Sequence, residues 1–90
     1  MQYEWDDTKA ESNLQKHGVS FVSALAFEWE YAIVREDDRS NYGEPRWIAY
    51  APIKGRLHIM IYTLRNNVIR LISLRKANAR EVTLYETATD

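Results

Sequence analysis

The chain has 90 residues, of which 46% are hydrophobic, and it includes three Trp, six Tyr and two Phe. This length and aromatic content predict one folded domain over residues 1–90 and argue against a disordered chain. The absence of Cys excludes disulfides and thiolate zinc sites, and no apolar run approaches the ~20 residues that span a bilayer. The first residues lack the basic and apolar regions of a signal peptide, so we expect a cytoplasmic protein that does not associate with membranes.

The formal net charge of −1 conceals an uneven distribution of charge along the chain. Residues 1–44 contain ten acidic and four basic residues, whereas residues 45–80 contain eight basic residues and no acidic one. A basic block of this kind usually binds nucleic acid or an acidic protein. The eight residues are Arg46, Lys54, Arg56, Arg65, Arg70, Arg75, Lys76 and Arg80.

The N-terminal part of the chain predicts a short edge strand followed by two helices. Residues 2–5 have the composition of a strand. Asp6 or Asp7 can cap a helix that runs to about His17, where Gly18 supplies the left-handed residue that ends it. Ser20 then caps a second short helix that runs to about residue 27.

From residue 31 the hydrophobic period changes to two, which predicts strands. The predicted strands are 31–35, 46–53, 57–65 and 68–75, separated by a polar loop at 36–44 and tight turns at 54–56 and 66–67. Asn78 and Glu81 form a capping-box pattern for a last helix, in which Val82, Leu84 and Tyr85 face the sheet. We therefore predict an α+β fold with two N-terminal helices, an antiparallel sheet of about four strands and a C-terminal helix.

Three arginines fall within or at the end of the last two predicted strands. Strict alternation places Arg65 on the face of Leu57 and Ile59, and it places Arg70 and Arg75 on opposite faces of their strand. A guanidinium in an apolar strand needs an acceptor, because burying it alone is unfavourable by several kcal/mol. Each guanidinium therefore either pairs with a carboxylate or lies in a cleft that binds an anion.

Other candidate functional residues allow two interpretations each. Arg75 and Lys76 precede a helix N-terminus, which suits a phosphate but also describes a solvated turn. Arg46 beside Trp47 pairs a cation with an aromatic ring, as in single-stranded nucleic-acid binders, although Trp47 equally fits the core. The C-terminal position of His17 in its helix favours imidazolium, which can protonate a leaving oxygen or simply cap the helix.

No motif indicates a metal or cofactor site. Asp37 and Asp38 are adjacent acids in a polar loop without further ligands, a pattern typical of solvated residues. The chain has no glycine-rich phosphate loop, nucleophile elbow or His-Glu-x-x-His motif. Tyr85 can donate its hydroxyl to a phosphate if it faces a cleft, or it can contribute only to packing.

Several segments together resemble the BrnT family of bacterial type II toxins, over residues 3–86. The most specific are Lys16-His17-Gly18-Val19-Ser20-Phe21 and Arg70-Leu71-Ile72-Ser73-Leu74-Arg75-Lys76-Ala77. Trp5-Asp6-x-x-Lys9, Asn13, Glu44-x-Arg46-Trp47, Asn78, Arg80-Glu81 and Tyr85 add to the resemblance. The chain departs from the usual pattern at Leu74, where a small Ala is common, and in the loop at residues 37–42.

The resemblance implies a RelE-like fold and a ribonuclease that arrests translation. It also implies a co-encoded antitoxin (BrnA-like, of the ribbon-helix-helix class), which binds operator DNA for the complex. The expected assembly is a heterotetramer of two toxins and two antitoxins. The family positions carried onto this chain are Lys9, His17, Arg46, Arg65, Arg70, Arg75, Lys76 and Tyr85.

The resulting hypothesis is metal-independent RNA cleavage, without a cofactor, by attack of a 2′-hydroxyl on its own 3′-phosphate. We expect Arg65 and Arg75 to converge on the phosphoryl group, with His17 or Lys9 moving protons and Tyr85 assisting. The predicted RNA-binding residues are Arg46, Arg70, Lys76, Lys54 and Arg56. The alternative is a non-catalytic binding module whose basic face holds an acidic partner in a repressor complex.

Overall fold

The computed structural model describes residues 1–90 and contains two α-helices, two short 3₁₀-helices and five strands. In chain order these are β1 (Tyr3–Glu4), α1 (Asp7–His17), a first 3₁₀-helix (Phe21–Ala26), a second 3₁₀-helix (Trp29–Tyr31), β2 (Ile33–Glu36), β3 (Trp47–Ile53), β4 (Arg56–Arg65), β5 (Val68–Lys76) and α2 (Ala79–Thr89). Neither α-helix has the length and apolar content needed to cross a membrane. The predicted α+β class is confirmed, with differences in strand number and helix type.

The five strands form one mixed sheet in the order β1-β5-β4-β3-β2. The pairs β2–β3, β3–β4 and β4–β5 are antiparallel, whereas β1 pairs in parallel with β5 through Tyr3–Ile69 and Glu4–Arg70. The four predicted strands, β2 to β5, pair antiparallel as expected, but the fifth, parallel strand makes the sheet mixed, so the prediction of a purely antiparallel sheet of about four strands was wrong. The edge strand expected near residues 2–5 is present as Tyr3–Glu4, but its parallel pairing with β5 leaves no local signal in the sequence.

The second N-terminal helix, predicted as a short helix that runs to about residue 27, is a 3₁₀-helix over Phe21–Ala26. Phe21, Ala24 and Phe27 are all buried, at a spacing of three residues. A helix with three residues per turn places such a series on one side, so burial of these residues favours the tighter form. The Ser20 hydroxyl accepts a hydrogen bond from the Val22 amide at 3.2 Å, as predicted for its cap.

The turns follow the local sequence closely. Lys54 and Gly55 have φ values of 49° and 80°, and Asn66 and Asn67 have φ values of 53° and 64°. Both pairs are two-residue hairpin loops with positive φ at each central position, the conformation that matches the twist of the flanking strands. Gly18 ends α1 with φ 70°, as predicted.

Helices cover both faces of the sheet. On the α1 face, α1 and the first 3₁₀-helix pack on the larger core, which includes Phe21, Ala49, Met60, Leu71 and Leu74. On the opposite α2 face, the smaller core consists of Ile48, Leu57, Ile59 and Ala77, against which Val82 and Tyr85 pack.

Leu84, predicted to face the sheet, is 59% exposed. Val82 and Tyr85 are three residues apart and share the inner side of α2, whereas Leu84 lies 200° from Val82 around the helix.

A β-bulge in β5 decides which side chains share the α2 face. Consecutive β4 residues Ile61 and Tyr62 pair with Ser73 and Leu71, so Ile72 is the additional residue. The bulge resets the alternation, and both Leu71 and Leu74 therefore point into the larger core. Arg70 and Arg75, predicted to lie on opposite faces, both lie on the α2 face for the same reason.

Candidate functional site

The α2 face carries arginines on several neighbouring strands. Arg75 is paired across the sheet with Ile59, which is paired in turn with Tyr50 of β3. Arg70 lies opposite Thr63, and Arg65 lies opposite Val68 near the end of the same face. Arg35 of β2 lies opposite Ile48, on the same side. Three strands, β2, β4 and β5, thus contribute arginines to one surface.

The structure does not bring Arg65 and Arg75 together. The partner of Arg75 on β4 is Ile59, six residues before Arg65. Six residues of strand span about 20 Å, so the two guanidinium groups lie near opposite ends of the face. One phosphate cannot be held by both, although an extended polyanion can contact both in sequence.

Each of the three strand arginines already binds a carboxylate. Arg65 contacts Glu44 at 3.2 Å, Arg70 contacts Glu4 at 3.1 Å and Arg75 contacts Glu81 at 2.8 Å. The carboxylate interpretation offered by the sequence therefore holds for all three. None of the arginines is buried, with side-chain exposures of 52%, 26% and 33% in the same order, so each stays accessible to a competing anion.

Arg75 is the most rigidly held of these arginines. Its Nη1 and Nη2 donate to the two carboxylate oxygens of Glu81 at 2.8 Å each. Glu81 also accepts from the Asn78 amide at 2.9 Å and belongs to the capping box that starts α2. These bonds raise the pKa of Arg75 and lower the pKa of Glu81, in each case chiefly through the hydrogen bonds between the two side chains.

The geometry leaves part of the Arg75 guanidinium free. The group has five N–H donors, and Glu81 and the Lys76 carbonyl take three of them. The other two N–H donors remain free, and the guanidinium that carries them is held in position by Glu81 in the first turn of α2. Such a fixed, partly exposed donor is suited to an anion, because little side-chain freedom is lost on binding.

His17 lies close enough to Arg75 for the two groups to interact electrostatically. Its pKa is lowered from the ordinary value of 6.5 by partial burial first, and then by the positive charges of Lys16 and Arg75. The imidazole is therefore mainly neutral at pH 7. This direction opposes the sequence-based expectation of an imidazolium, because burial and the charges of Lys16 and Arg75 act against the dipole of α1.

A cleft of about 240 Å³ separates α1 from the bulged part of β5. Lys9, Ser12 and Lys16 line it from one side of α1, together with His17, and Ser73 lines it from the strand. No carboxylate lines the cleft. Two predicted catalytic residues, Lys9 and His17, are thus brought together with a further lysine.

Asn13 fixes α1 against the strand that carries Arg75. It is 6% exposed, and its amide group donates to the Leu74 carbonyl at 2.8 Å and to the Val19 carbonyl at 3.0 Å. Its side-chain oxygen accepts from the Leu74 amide at 3.1 Å. β1 ends before this point, so the Asn13 side chain takes the place of a neighbouring strand along β5.

The loop between β2 and β3 adds two more cations, Arg39 and Arg46. Asp37 accepts hydrogen bonds from Arg39 at 2.7 and 2.8 Å and from Tyr42, which lower its pKa to about 2, with Arg39 as the largest cause. Asp37 is buried, so the expectation that it is solvated was wrong. Arg46 lies 4.0 Å from the centre of the Tyr42 ring, and its Nε is buried without a hydrogen-bond partner.

A family model described as "Ribonuclease toxin, BrnT, of type II toxin-antitoxin system" matches residues 5–81. The chain belongs to this family. The matched range includes Lys9, Asn13, His17 and the Arg75–Glu81 pair, and it ends before Tyr85. No curated protein matches the chain. Membership in the BrnT family implies an RNA target and an antitoxin partner.

Other residues predicted for a BrnT site make contacts that do not involve Arg75. Tyr85 donates its hydroxyl to the Tyr31 carbonyl at 2.6 Å and packs on the smaller core. Lys76 is paired with His58 and therefore lies on the opposite face from its neighbour Arg75. Lys54 lies in the β3–β4 turn, and Arg56, at the start of β4, donates to the Ala77 carbonyl at 3.3 Å. RNA contact by Lys54, Arg56 and Lys76 stays a prediction.

The structure also brings to the site residues that the sequence analysis did not select. They are Lys16, Ser73, Arg39, Arg35 and Tyr50. The spacing of seven residues between Lys9 and Lys16 could have indicated a shared helix side. Ser73 lines the cleft beside α1, and Arg39 and Tyr50 lie within electrostatic reach of Arg75, as a result of tertiary folding. These positions therefore have no local signal in the sequence.

No group of three or more His, Asp or Glu side chains in the structure has the arrangement of a metal site.

Proposed function

We propose that the chain is an endoribonuclease toxin that cleaves RNA without a metal ion and inhibits translation. The observation that carries the proposal is the cleft lined by Lys9, Lys16 and His17 beside β5, with Arg75 of the same strand within electrostatic reach of His17 and partly exposed. Guanidinium and ammonium groups supply the positive charge that phosphoryl transfer needs. The family match supports the choice of RNA as the substrate.

The proposed reaction is an internal phosphoryl transfer. The 2′-oxygen attacks the adjacent phosphorus, the bond from phosphorus to the 5′-oxygen breaks, and a 2′,3′-cyclic phosphate forms. His17 accepts the proton of the 2′-hydroxyl as a general base, because its lowered pKa keeps the imidazole neutral. Lys9 donates a proton to the leaving 5′-oxygen, and Arg75 stabilises the charge that develops on the phosphoryl oxygens.

The remaining arginines position the RNA backbone. Arg70, Arg46 and Arg65 follow Arg75 along the α2 face toward its far end. Phosphates of an extended strand can exchange for the carboxylates that now occupy Arg70 and Arg65, since both ion pairs are accessible to solvent. Arg65, selected from the sequence as part of the catalytic clamp, is thereby assigned to binding at about 20 Å from Arg75.

We also propose that a ribbon-helix-helix antitoxin neutralises the toxin in an assembly of two toxins and two antitoxins, with operator DNA bound by the antitoxin. The α2 face already accepts carboxylates at Arg65, Arg70 and Arg75. An acidic segment of the antitoxin can bind these cations in the same way and exclude RNA from them.

Chelation tests the metal-independent mechanism. Purified toxin is expected to cleave RNA at an unchanged rate in EDTA and to release products that end in a 2′,3′-cyclic phosphate, identified by mass spectrometry. Loss of cleavage on chelation, with recovery on adding a divalent cation, would refute the mechanism. A pure chain that is inert on RNA and harmless when expressed alone would instead favour the non-catalytic module that binds an acidic partner.

The pH dependence tests the role of His17. A general base with a lowered pKa stays active at pH 7 and is lost only as the pH falls below 6.5 through that lowered value. The rate of cleavage should therefore show an acidic limb below pH 6.5 and a plateau above it. His17→Gln should reduce the plateau rate by roughly 10²- to 10⁴-fold and abolish the acidic limb. An acidic limb that persists in His17→Gln would assign the titration to another group.

A further inference from the structure

A second cavity adjoins the Arg75–Glu81 pair on the α2 face. It has a volume of about 390 Å³ and lies between α2 and strands β2 and β3. Its walls are mainly apolar or aromatic, and two arginines lie among the lining residues. The residues that matter here are Ile33, Tyr50, Leu84, Tyr85, Arg35 and Arg80.

The cavity is directly connected to the proposed catalytic arginine. Glu81 lines the cavity and holds Arg75 through two hydrogen bonds of 2.8 Å. Tyr50 lines it from β3 and is separated from Arg75 only by Ile59 of the intervening strand. Two strand spacings amount to about 10 Å, which is within the reach of a single nucleotide attached to a phosphate at Arg75.

The lining chemistry matches a nucleobase better than it matches a charged group. Leu84 is 59% exposed above the cavity, and Tyr50 and Tyr85 contribute ring surface on which a base can stack. The Tyr50 hydroxyl accepts from Arg35 at 3.1 and 3.2 Å, which holds that guanidinium beside the opening. Glu81, the acid in the lining, is neutralised by Arg75.

We propose that this cavity is a subsite for a nucleobase of the RNA, next to the phosphate bound by Arg75. The base packs between Leu84 and the tyrosine rings, and Arg35 and Arg80 contact the adjoining backbone. This inference rests on the proposed function and adds a determinant of cleavage specificity to it. The cavity size falls within the range of small-molecule sites in proteins.

Nuclear magnetic resonance with mononucleotides tests the subsite without requiring cleavage. Ribonucleoside 5′-monophosphates should shift the methyl signals of Ile33 and Leu84, whereas ribose 5-phosphate, which has no base, should leave them unchanged. Both ligands should shift signals near Arg75, since both carry a phosphate. Methyl signals that respond equally to ribose 5-phosphate, or to neither ligand, would overturn the proposal.

A substitution at the exposed wall supplies the second test. Leu84→Glu should weaken mononucleotide binding roughly 5- to 150-fold, because a charged wall opposite the tyrosine rings disrupts the stacking of the base, which is worth that range. It should also change which bases flank the cleavage sites in a random RNA pool. Val22→Glu is the matched control, because Val22 is similarly exposed on the first 3₁₀-helix. An unchanged dissociation constant in Leu84→Glu would overturn the subsite even if RNA cleavage were intact.

The outcomes separate this inference from the proposed function. Wild-type toxin that binds mononucleotides at Ile33 and Leu84 but cleaves no RNA would retain the subsite and remove the enzyme assignment. Methyl signals that respond only to the antitoxin would show that the cavity receives a protein side chain, which contradicts the subsite.

Discussion

Replacing Arg75 with Ala is expected to lower kcat on RNA by roughly 10²- to 10³-fold, the usual effect of removing one preorganised donor to a developing anion. The reason is the geometry of the Glu81 contact. Two bonds of 2.8 Å fix the guanidinium at the start of α2 and leave free N–H donors directed away from Glu81. Single-turnover cleavage of a defined RNA measures the effect without a contribution from product release.

Two further variants distinguish a catalytic role of Arg75 from a structural one. Arg75→Lys keeps the charge but loses the bidentate geometry, and it should recover only part of the rate. Arg65→Ala is the matched control: Arg65 is also an ion-paired arginine of the α2 face, but it lies about 20 Å away, so the expected change is mainly in KM. Equal losses of kcat in Arg65→Ala and Arg75→Ala, with both proteins folded, would contradict the assignment.

Features that depend on neighbouring residues in the chain could be predicted from the sequence. The Asn78–Glu81 capping box is formed reciprocally, with bonds of 2.8 and 2.9 Å. The paired asparagines at 66 and 67 adopt the positive φ values that their turn requires. In each case the determining interaction spans no more than four residues, so the local sequence contains all of it.

Features that depend on contacts between distant segments could not be predicted. The bulge at Ile72 has no compositional mark, because Ile and Leu suit a regular strand equally well. It nevertheless moves Arg75 to the face that carries Arg70 and changes the candidate site. The lowered pKa of His17 could not be predicted for a related reason: its largest cause is burial, which the tertiary fold sets, and the charge of the distant Arg75 adds to the effect of the adjacent Lys16.

The candidate site was predictable in its residue types but only partly in its arrangement. Lys9 and His17 were selected from the sequence and line one cleft together with Lys16, and Arg75 lies within electrostatic reach of His17. Arg65 was selected with the same reasoning and lies far from them, since a residue's position along a strand becomes a distance only when the pairing register is known. The prediction that Arg65 and Arg75 converge on one phosphoryl group therefore failed because the sequence does not give the pairing register of β4 with β5.

Asn13→Ala is expected to lower the free energy of unfolding by about 3 kcal/mol, because three buried hydrogen bonds disappear together. The Leu74 amide and carbonyl then lose their partner at the part of β5 that lacks a neighbouring strand. For a chain of this length the midpoint of thermal unfolding should fall by roughly 15 °C. Gln15→Ala is the control on the same helix, since Gln15 is exposed and should change stability by no more than about 0.5 kcal/mol.

Asn13→Asp should be more destabilising at neutral pH than Asn13→Ala, because the introduced carboxylate faces two carbonyl oxygens that now receive hydrogen bonds from the amide. Repulsion and burial raise the folded-state pKa of this carboxyl above its unfolded value, so the destabilisation grows as the pH rises. Lowering the pH from 7 to 5 should therefore narrow the difference in unfolding free energy from wild type. A difference that is constant over this range would show that Asn13 is not buried between the two carbonyls.

The same contacts of Asn13 hold α1 in register with Arg75. In Asn13→Ala, the imidazole of His17 should therefore gain solvent and move away from the guanidinium. Its pKa, followed by nuclear magnetic resonance, should rise toward 6.5.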